Sequence, residues 1–275
     1  MIGLTNVNFG YQKKKPVLRD INLLVEPGMI YGLLGKNGEG KTTLLKLMSG
    51  LLFPDSGECK VFGEMPSKRT ASCLQNLFLL PEEIVLPDVS VGEYLKMYAP
   101  FYPDFDENIR LNCIESFGLS MSDSLRRMSL GQKKKVAITL ALSANTPVVF
   151  MDEPTNGLDI PSKSVFRKLL GSSIRENQSV IISTHQVRDL ESLIDSVIIL
   201  DRGGIVLNRS LDEIGNRLDF RKVEADDTVF YSEPSPVGVV GAVLNESGEK
   251  RPVSLELLFN AAVLPGDKIR HLFNS

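Results

Sequence analysis

The fold of this chain is decided by one stretch of sequence, Gly35-Lys36-Asn37-Gly38-Glu39-Gly40-Lys41-Thr42-Thr43. An apolar run, Ile30 to Leu34, comes directly before it, and an apolar segment that includes Leu44 and Leu45 comes directly after it. The pattern predicts a strand, a glycine-rich loop and a helix, in that order. This is the structural context of a phosphate-binding loop, or P-loop. A glycine-rich turn that matches by chance is the alternative, and the flanking strand and helix make it less favourable.

The residue types of this loop suit the phosphates of a nucleotide. Its glycines let successive backbone N–H groups point at an anion, and the helix that begins near Gly40 adds the partial positive charge of its N-terminus. Lys41 would reach the β- and γ-phosphates, the Thr42 hydroxyl would be a Mg2+ ligand, and Thr43 would help to hold the α-phosphate. Glu39 adds a negative charge, so we expect its side chain to point away from the phosphates.

Composition argues against several classes of function. With 275 residues, a net charge of −3 and a pI near 5.6, the chain lacks the basic excess typical of nucleic-acid binding, and no nucleic-acid partner is expected. The longest apolar stretch, Val136 to Met151, is interrupted by polar residues and proline, so no membrane span is predicted. Cys59, Cys73 and Cys113 are widely spaced, which favours buried packing residues over metal ligands or disulfides. No signal peptide is recognisable, and the expected compartment is the cytosol.

A second chemical motif follows a predicted buried strand, Val148 to Met151. The strand runs into Asp152-Glu153-Pro154. In a protein with a P-loop, the first carboxylate can hold Mg2+ and the second can polarise a water molecule for attack on a phosphate. A plain turn is the alternative, but the apolar strand directly before these carboxylates favours a functional role.

Two further positions have two interpretations each. Tyr11 could stack on a nucleotide base or be a half-buried turn aromatic, and its position alone favours neither. His185 follows another predicted strand, Ser179 to Ser183. There a neutral imidazole could donate a hydrogen bond to a γ-phosphate, or it could be a capping or surface histidine.

The start of a predicted helix after Met128 offers another potential anion site. Ser129, Gly131 and Gln132 lie there, and taken alone they favour an ordinary N-cap over a phosphate-binding group. The lysine run that follows, Lys133 to Lys135, is interpreted as a solvated basic face rather than as a local source of positive field.

Together these residues resemble the nucleotide-binding subunit of an ATP-binding cassette (ABC) transporter, over about Leu4 to Leu218. The family's motifs occur in their usual order, namely the aromatic A-loop at Tyr11, the P-loop at Gly35 to Thr43, the Q-loop near Pro81 and Glu82, the signature at Ser129 to Gln132, the acidic pair Asp152 and Glu153, the D-loop at Gly157 to Asp159, and the switch histidine His185. A single match of this kind is weak, whereas the ordered set is very specific.

The resemblance implies a function, site residues and partners. It implies ATP hydrolysis that drives a separate transmembrane permease subunit, with ATP and Mg2+ as cofactors. It implies these roles: catalysis by Glu153, His185 and Glu82; Mg2+ ligation by Thr42, Asp152 and Glu82; and nucleotide contacts from Tyr11, Gly35, Lys36, Asn37, Gly38, Glu39, Gly40, Lys41, Thr42, Thr43, Ser129, Gly131, Gln132 and Asp159. It also implies a head-to-tail homodimer or heterodimer, held at the inner face of the cell membrane through the permease.

Two departures from the family pattern stand out. Glu82 replaces the usual Q-loop glutamine, which keeps a metal-ligating oxygen but adds negative charge close to Asp152 and Glu153. Leu130 replaces the first glycine that usually follows the signature serine. Both variants are similar to those of subunits that serve ABC-2 type exporters, so the resemblance favours export.

The expected fold class is α/β. We expect a mixed sheet around the P-loop helix, an antiparallel β edge and a helical subdomain over about residues 83–144, all within residues 1–218. A small α+β accessory region, residues 219–275, is expected to pack on the main domain. Its predicted elements are strands at Thr228 to Tyr231 and Val237 to Leu244 and a helix at Ser254 to Ala262. Leu86, Val89 and Val91 are the candidate residues of a groove for the membrane subunit.

Two other functions remain open from sequence. A soluble ABC ATPase acting without a membrane partner is one, although the chain has neither the long coiled-coil insertion nor the tandem cassettes of such proteins. A nucleotide sensor that binds ATP without turnover is the other, and Glu153 argues against it.

Overall fold

The computed structural model describes residues 1–12, 15–187, 191–236, 238–264 and 268–274. Along these residues the elements are β1 (Ile2–Phe9), β2 (Leu18–Val25), β3 (Ile30–Leu34), α1 (Lys41–Met48), β4 (Ser56–Val61), α2 (Ala71–Gln75), β5 (Leu77–Leu80), α3 (Val91–Tyr98), α4 (Glu107–Phe117), α5 (Leu130–Ser143), β6 (Val148–Asp152), α6 (Ile160–Ser173), β7 (Ser179–Thr184), β8 (Ser196–Asp201), β9 (Gly204–Ser210), α7 (Leu211–Arg217), β10 (Leu218–Lys222), β11 (Val229–Ser235), β12 (Gly238–Leu244), α8 (Leu255–Val263) and α9 (Lys268–Asn274).

Six of the described strands form a mixed central sheet in the order β5-β6-β7-β3-β8-β9. Its pairs are parallel except β8 with β9, which is antiparallel. Strands β3, β6 and β7 are buried along their whole lengths, as is typical of parallel strands in a sheet covered on both faces. Because carboxyl ends of parallel strands meet at one edge, the loops after β3, β5, β6 and β7 converge there.

Three of the described strands form an antiparallel sheet in the order β2-β1-β4. One apolar cluster joins this sheet to the central sheet through α1, and it includes Val7, Leu18, Leu44, Leu45 and Phe150. The helix that follows the P-loop is therefore buried between two sheets, which fixes its N-terminus at the edge described above. The predicted mixed sheet with an antiparallel β edge is confirmed.

The predicted helical region contains α3, α4 and α5. Each begins at a polar N-cap: Ser90 accepts from the Glu93 N–H, Asp106 from two N–H groups of α4, and Ser129 from the Gln132 N–H. Val91 was predicted to line a docking groove, and this was wrong. Val91 is completely buried in the main apolar cluster, because it lies on the inward face of α3 together with Tyr94 and Leu95.

The C-terminal region forms a second antiparallel sheet, in the order β10-β12-β11, with α8 and α9. Its apolar residues Leu218, Ala242, Leu258 and Ile269 belong to the same cluster as the core of the central sheet, so the region packs on the main body. The boundary at 218 stays a prediction; β10, which begins there, was not predicted. The strands predicted at 228–231 and 237–244 correspond to β11 and β12, and the helix predicted at 254–262 corresponds to α8. Val237 lies outside the described residues.

Two expectations from composition concern membrane spans and the three cysteines. In the described part of the chain, no helix is both long and apolar enough to cross a bilayer. Cys59, Cys73 and Cys113 are buried as free thiols, and burial raises the pKa of Cys59 and of Cys113 to about 12. These cysteines act as small packing residues, as predicted.

Candidate nucleotide-binding site

A cavity of about 400 Å3 lies at the carboxyl edge of the central sheet. It is lined by Tyr11, Val17, Lys36, Asn37, Gly38, Gly40, Lys41, Thr42, Thr43, Glu82, Asp152, Glu153 and His185. The volume is in the range of small-ligand sites. The fold thus brings together residues that are up to 174 positions apart, Tyr11 and His185.

The lysine of the loop is held inside it. Lys41 is buried, and its Nζ donates to the carbonyl oxygens of Gly35 at 2.7 Å and Lys36 at 3.4 Å. The same Nζ lies 4.0 Å from Oε1 of Glu153. Burial lowers the pKa of Lys41, and the nearby carboxylates of Glu153 and Asp152 oppose this shift. The ammonium is therefore positioned over the loop, where a phosphate could replace its carbonyl partners.

The first turn of α1 is open to an anion. Its N-cap, Gly40, has a φ of 105° and provides no side-chain hydrogen bond to the helix. A residue with a Cβ would be strained at this φ and would also approach Leu18 to 2.8 Å. The N-terminal N–H groups of α1 can then bind phosphate oxygens.

At the acidic end of β6, two hydroxyl groups donate hydrogen bonds to the carboxylate of Asp152. The Thr42 hydroxyl donates to Oδ2 of Asp152 at 2.6 Å, and the Ser183 hydroxyl donates to Oδ1. The Glu153 N–H donates to the Ser183 oxygens, Oγ at 3.2 Å and O at 3.1 Å. Glu153 has a φ of 46°, in the left-handed region that costs a non-glycine residue free energy. Ser183 was not recognised from sequence, yet it holds both acidic residues in place.

Glu153 also contacts the predicted switch histidine. Nδ1 of His185 lies 2.8 Å from Oε1 of Glu153. The other oxygen, Oε2, is buried and has no hydrogen-bond partner within the described residues. A buried carboxylate oxygen without a partner is costly, so it marks the place where a water molecule or a substrate group would bind.

Glu82 lies between two other parts of the chain. Its carboxylate accepts a hydrogen bond from Asn156 Nδ2 at 3.2 Å. Its backbone oxygen accepts one from Lys134 Nζ at 3.0 Å. The prediction that Lys133 to Lys135 form a solvated face was wrong for Lys134, which is 2% exposed. Its position on α5 matches the apolar stripe of Ala137, Ile138 and Ala141, and this helical spacing could have revealed its burial.

Comparison with known proteins identifies the family. The family described as ABC transporter matches residues 18–156. The chain is 32% identical, over 224 residues, to the ABC transporter ATP-binding protein NatA of Bacillus subtilis (strain 168), a match that covers 78% of this chain and 91% of NatA. This chain belongs to the ABC transporter family.

Other ABC proteins agree with this assignment. The bacitracin transport ATP-binding protein BcrA of Bacillus licheniformis is 30% identical over 241 residues, covering 85% of this chain and 78% of BcrA. A solved ATP-binding subunit of an ABC transporter superposes with a TM-score of 0.70 at 26% identity, covering 78% of this chain and 91% of that chain. The chain is thus an ATP-binding subunit with ATPase activity, and the predicted family, fold class and ATP binding are confirmed.

The tyrosine predicted to form the A-loop lies at the mouth of the cavity. Tyr11 is 60% exposed, and its hydroxyl is 3.2 Å from Oγ1 of Thr43. Its ring is packed edge-to-face against Phe9, with the centroids 5.1 Å apart. One face of the ring can therefore remain available for a base, which supports the stacking interpretation.

Several predicted nucleotide contacts lie outside this cavity. Among the described residues, the cavity lining does not include Gly35 or Glu39 of the P-loop. It also does not include the signature residues Ser129, Gly131 and Gln132. Ser129 and Gln132 instead form a reciprocal capping box at the start of α5. Asp159 caps α6 by accepting from the Ser162 N–H at 2.8 Å. In a single copy of the chain, Ser129, Gly131, Gln132 and Asp159 do not line the cavity beside its own P-loop.

The signature sequence has a steric explanation. A Cβ on Gly131 would lie 2.8 Å from the carbonyl oxygen of Gly157, in the predicted D-loop, so only glycine fits without a shift. Leu130, by contrast, is 63% exposed. The leucine that departs from the family pattern therefore sits where a side chain is tolerated.

Proposed function

We propose that this chain hydrolyses Mg2+-bound ATP as one half of a dimer and thereby drives an export permease. The observation that carries the proposal is the cavity itself, where Lys41 and His185 both approach Oε1 of Glu153, while Oε2 of the same carboxylate is buried and has no partner among the described residues. A sensor that only binds nucleotide would not need a buried carboxylate poised beside the phosphate site.

ATP is proposed to bind along the cavity with its base at Tyr11 and its phosphates in the P-loop. Thr43, which contacts the Tyr11 hydroxyl, would bind near the α-phosphate. Lys41 would exchange the carbonyl oxygens of Gly35 and Lys36 for phosphate oxygens. The exchange favours binding because a buried ammonium gains anionic partners in place of neutral ones.

The oxygen donors Thr42, Asp152 and Glu82 fit Mg2+. The ion binds hard oxygen ligands and usually takes only one or two carboxylates, together with phosphate oxygens and water. Thr42 and Asp152 are in direct contact at 2.6 Å, and Glu82 also lines the cavity. When bound, the ion would neutralise part of the triphosphate charge. In the described chain no cluster of three His, Cys, Asp or Glu side chains is placed to hold a metal without substrate.

Glu153 is proposed as the general base and His185 as its partner. An ionised Glu153 accepts a hydrogen bond from the Nδ1–H of His185, and a neutral ring with that proton has no second N–H to donate. A neutral His185 can therefore donate to a γ-phosphate only by turning away from Glu153. We infer that this rotation of His185 leaves Glu153 available to accept a proton from the attacking water.

The ATP site is proposed to be completed by a second chain. The capped N-terminus of α5, with Ser129 to Gln132, lies outside the cavity of its own chain and would close over the P-loop of a partner. Fold likeness to a dimeric ATP-binding cassette bound to ADP and Pi, at a TM-score of 0.67, is compatible with this arrangement. The mixing experiment described next decides whether the partner is a second copy of this chain.

The dimer is tested by mixing two inactive variants. Lys41→Ala damages the P-loop, and Ser129→Arg damages the signature. A mixed homodimer would contain one intact composite site, so the mixture should recover activity that neither variant shows alone. Mixing demonstrated by mass analysis without recovery would argue against shared, independently active sites.

Export through a membrane partner is proposed from the relatives. BcrA is named for bacitracin transport, and a linearmycin resistance ATP-binding protein, LnrL of Bacillus subtilis (strain 168), is 30% identical over 237 residues. The chain should co-purify with membranes only when a permease is co-expressed. Cells with both subunits should tolerate more bacitracin or linearmycin than cells with Glu153→Gln. Turnover without any membrane association would favour the soluble alternative.

A further inference from the structure

A buried lysine connects the signature helix to the ATP site. Lys134 lies one turn into α5, five residues after Ser129, and only 2% of its surface is exposed. Its Nζ donates to the backbone oxygen of Glu82 at 3.0 Å. Burying an ammonium in this way is costly unless nearby negative charge compensates for it.

The compensating charge is that of the catalytic cavity. Glu82, Asp152 and Glu153 all line the cavity, and their carboxylates act on Lys134. Burial lowers the pKa of Lys134, and these same carboxylates oppose the shift, Glu82 most strongly. Within the described part of the chain, Lys41 is the other buried lysine beside the acidic groups.

Glu82 itself is held from two sides. Lys134 holds its backbone, and Asn156, three residues beyond Glu153, holds its carboxylate at 3.2 Å. The position of the Glu82 carboxylate therefore depends on α5, which begins at the signature. Movement of α5 would reach the ATP site through this hydrogen bond.

We propose that Lys134 is a positioning residue that fixes Glu82 and supplies the buried positive charge that permits a third carboxylate beside Asp152 and Glu153. This inference rests on the proposed function, since it assumes that Glu82 acts at the Mg2+-bound ATP site. It explains how the chain accommodates glutamate at a position where the family usually has glutamine.

The charge contribution is tested by binding rather than by turnover. Lys134→Met removes the positive charge and keeps an unbranched apolar stem. Without it, three carboxylates face the phosphates, so ATP affinity in EDTA should fall by roughly tenfold, and the gain in affinity on adding Mg2+ should increase by a similar factor. The measurement is the titration of a fluorescent ATP analogue with and without Mg2+.

Two matched variants separate charge from general damage. Lys133→Met makes the same change one residue earlier, at a half-buried lysine, and should leave both affinities within twofold. Lys134→Arg retains the positive charge and should keep most of the wild-type Mg2+ dependence. Equal Mg2+ dependence in Lys134→Met, Lys133→Met and the wild type would overturn the proposal.

The positioning role predicts non-additivity. Lys134→Met should reduce turnover by roughly tenfold in the wild-type background and by less than about threefold in a Glu82→Ala background, because the carboxylate that Lys134 positions is absent there. An equal loss of turnover in the two backgrounds would overturn this role. It would also be overturned if neither the Lys134→Met single variant nor the Lys134→Met/Glu82→Ala double variant folded.

Failure of this inference is distinguishable from failure of the proposed function. If Glu153→Gln abolishes turnover while Lys134→Met behaves like Lys133→Met, only the inference about Lys134 is wrong. If Glu153→Gln retains turnover, the proposed catalytic site is itself wrong.

Discussion

Nδ1 of His185 and Oε1 of Glu153 lie 2.8 Å apart, so that one oxygen of the proposed general base is already engaged. The second oxygen is buried without a hydrogen-bond partner in the described chain. The two halves of this carboxylate therefore differ: one orients the side chain, and the other is placed to accept a proton.

Glu153→Gln should separate ATP binding from hydrolysis. The amide keeps the size of the side chain but cannot accept a proton, so turnover should fall by roughly 10²-fold or more while ATP affinity stays within a few-fold. Steady-state phosphate release and equilibrium nucleotide binding measure the two effects. Glu83→Gln, at an exposed carboxylate next to Glu82, is the matched control and should retain turnover. Turnover of Glu153→Gln within twofold of the wild type would remove Glu153 from this role.

Ser183→Ala should affect both stability and catalysis. It removes the hydroxyl between Asp152 and the strained Glu153 backbone, and it leaves Oδ1 of the buried Asp152 without this hydrogen-bond donor, at a cost of about 1–3 kcal/mol in the free energy of unfolding. Ser179→Ala is the control, because Ser179 is a buried serine at the other end of β7 whose hydroxyl donates to the Glu26 oxygen at 3.2 Å. Urea unfolding should show a loss in both variants. Only Ser183→Ala should lose turnover, and unchanged turnover would contradict its positioning role.

A charged residue in the groove beside α3 should uncouple the chain from a permease. The groove, of about 190 Å3, is lined by residues that include Leu86, Tyr94 and Val85, the last of which is 94% exposed. Val85→Asp should abolish membrane co-purification and leave ATP binding unchanged, because it lies outside the nucleotide cavity. Val239→Asp, at an exposed position in the C-terminal sheet, is the control. Full membrane retention of Val85→Asp would show that the partner docks elsewhere.

The buried thiols predict a loss of stability in alkali. The pKa of Cys113 is raised to about 12 in the folded chain, against 9.0 for an ordinary thiol. Between these values the unfolded state has lost the proton and the folded state retains it, so the free energy of unfolding falls as pH rises above 9. Urea titrations between pH 8 and pH 10.5 should show this slope, and Cys113→Ala should make it shallower. A slope identical in the variant would mean that Cys113 ionises normally in the fold.

Local sequence signals predicted much of the fold and the cavity. The P-loop strand, the helix after it and the acidic end of β6 are marked by short apolar runs next to glycine or carboxylate residues, which need no knowledge of distant contacts. Residues that act through distant contacts were harder to find. Ser183 looks like any serine in a buried strand until Asp152 is placed beside it by strand pairing.

Other errors have equally physical causes. The run of three lysines hides the one that faces inward, since charge alone does not show orientation on a helix. Strand β10 carries Asp219, Arg221 and Lys222, and these charges obscure the alternation expected of a strand. In the structure, Arg221 pairs with Asp227 at 2.6 Å, which the linear sequence does not reveal. The roles proposed for Ser129, Gln132 and Asp159 depend on a second chain and stay predictions.

The C-terminal sheet shares its apolar core with the central sheet, and the chain's last helix is fastened to the main body as well. Arg209 donates to the carbonyl oxygen of Phe273 at 2.6 Å, and Arg217 donates to that of Leu272. Residues 219–275 therefore do not behave as a detachable module. A cassette cut at 218 would expose Ile214 and Leu218 to water and lose cooperativity, so its melting curve should broaden and its tendency to aggregate should rise.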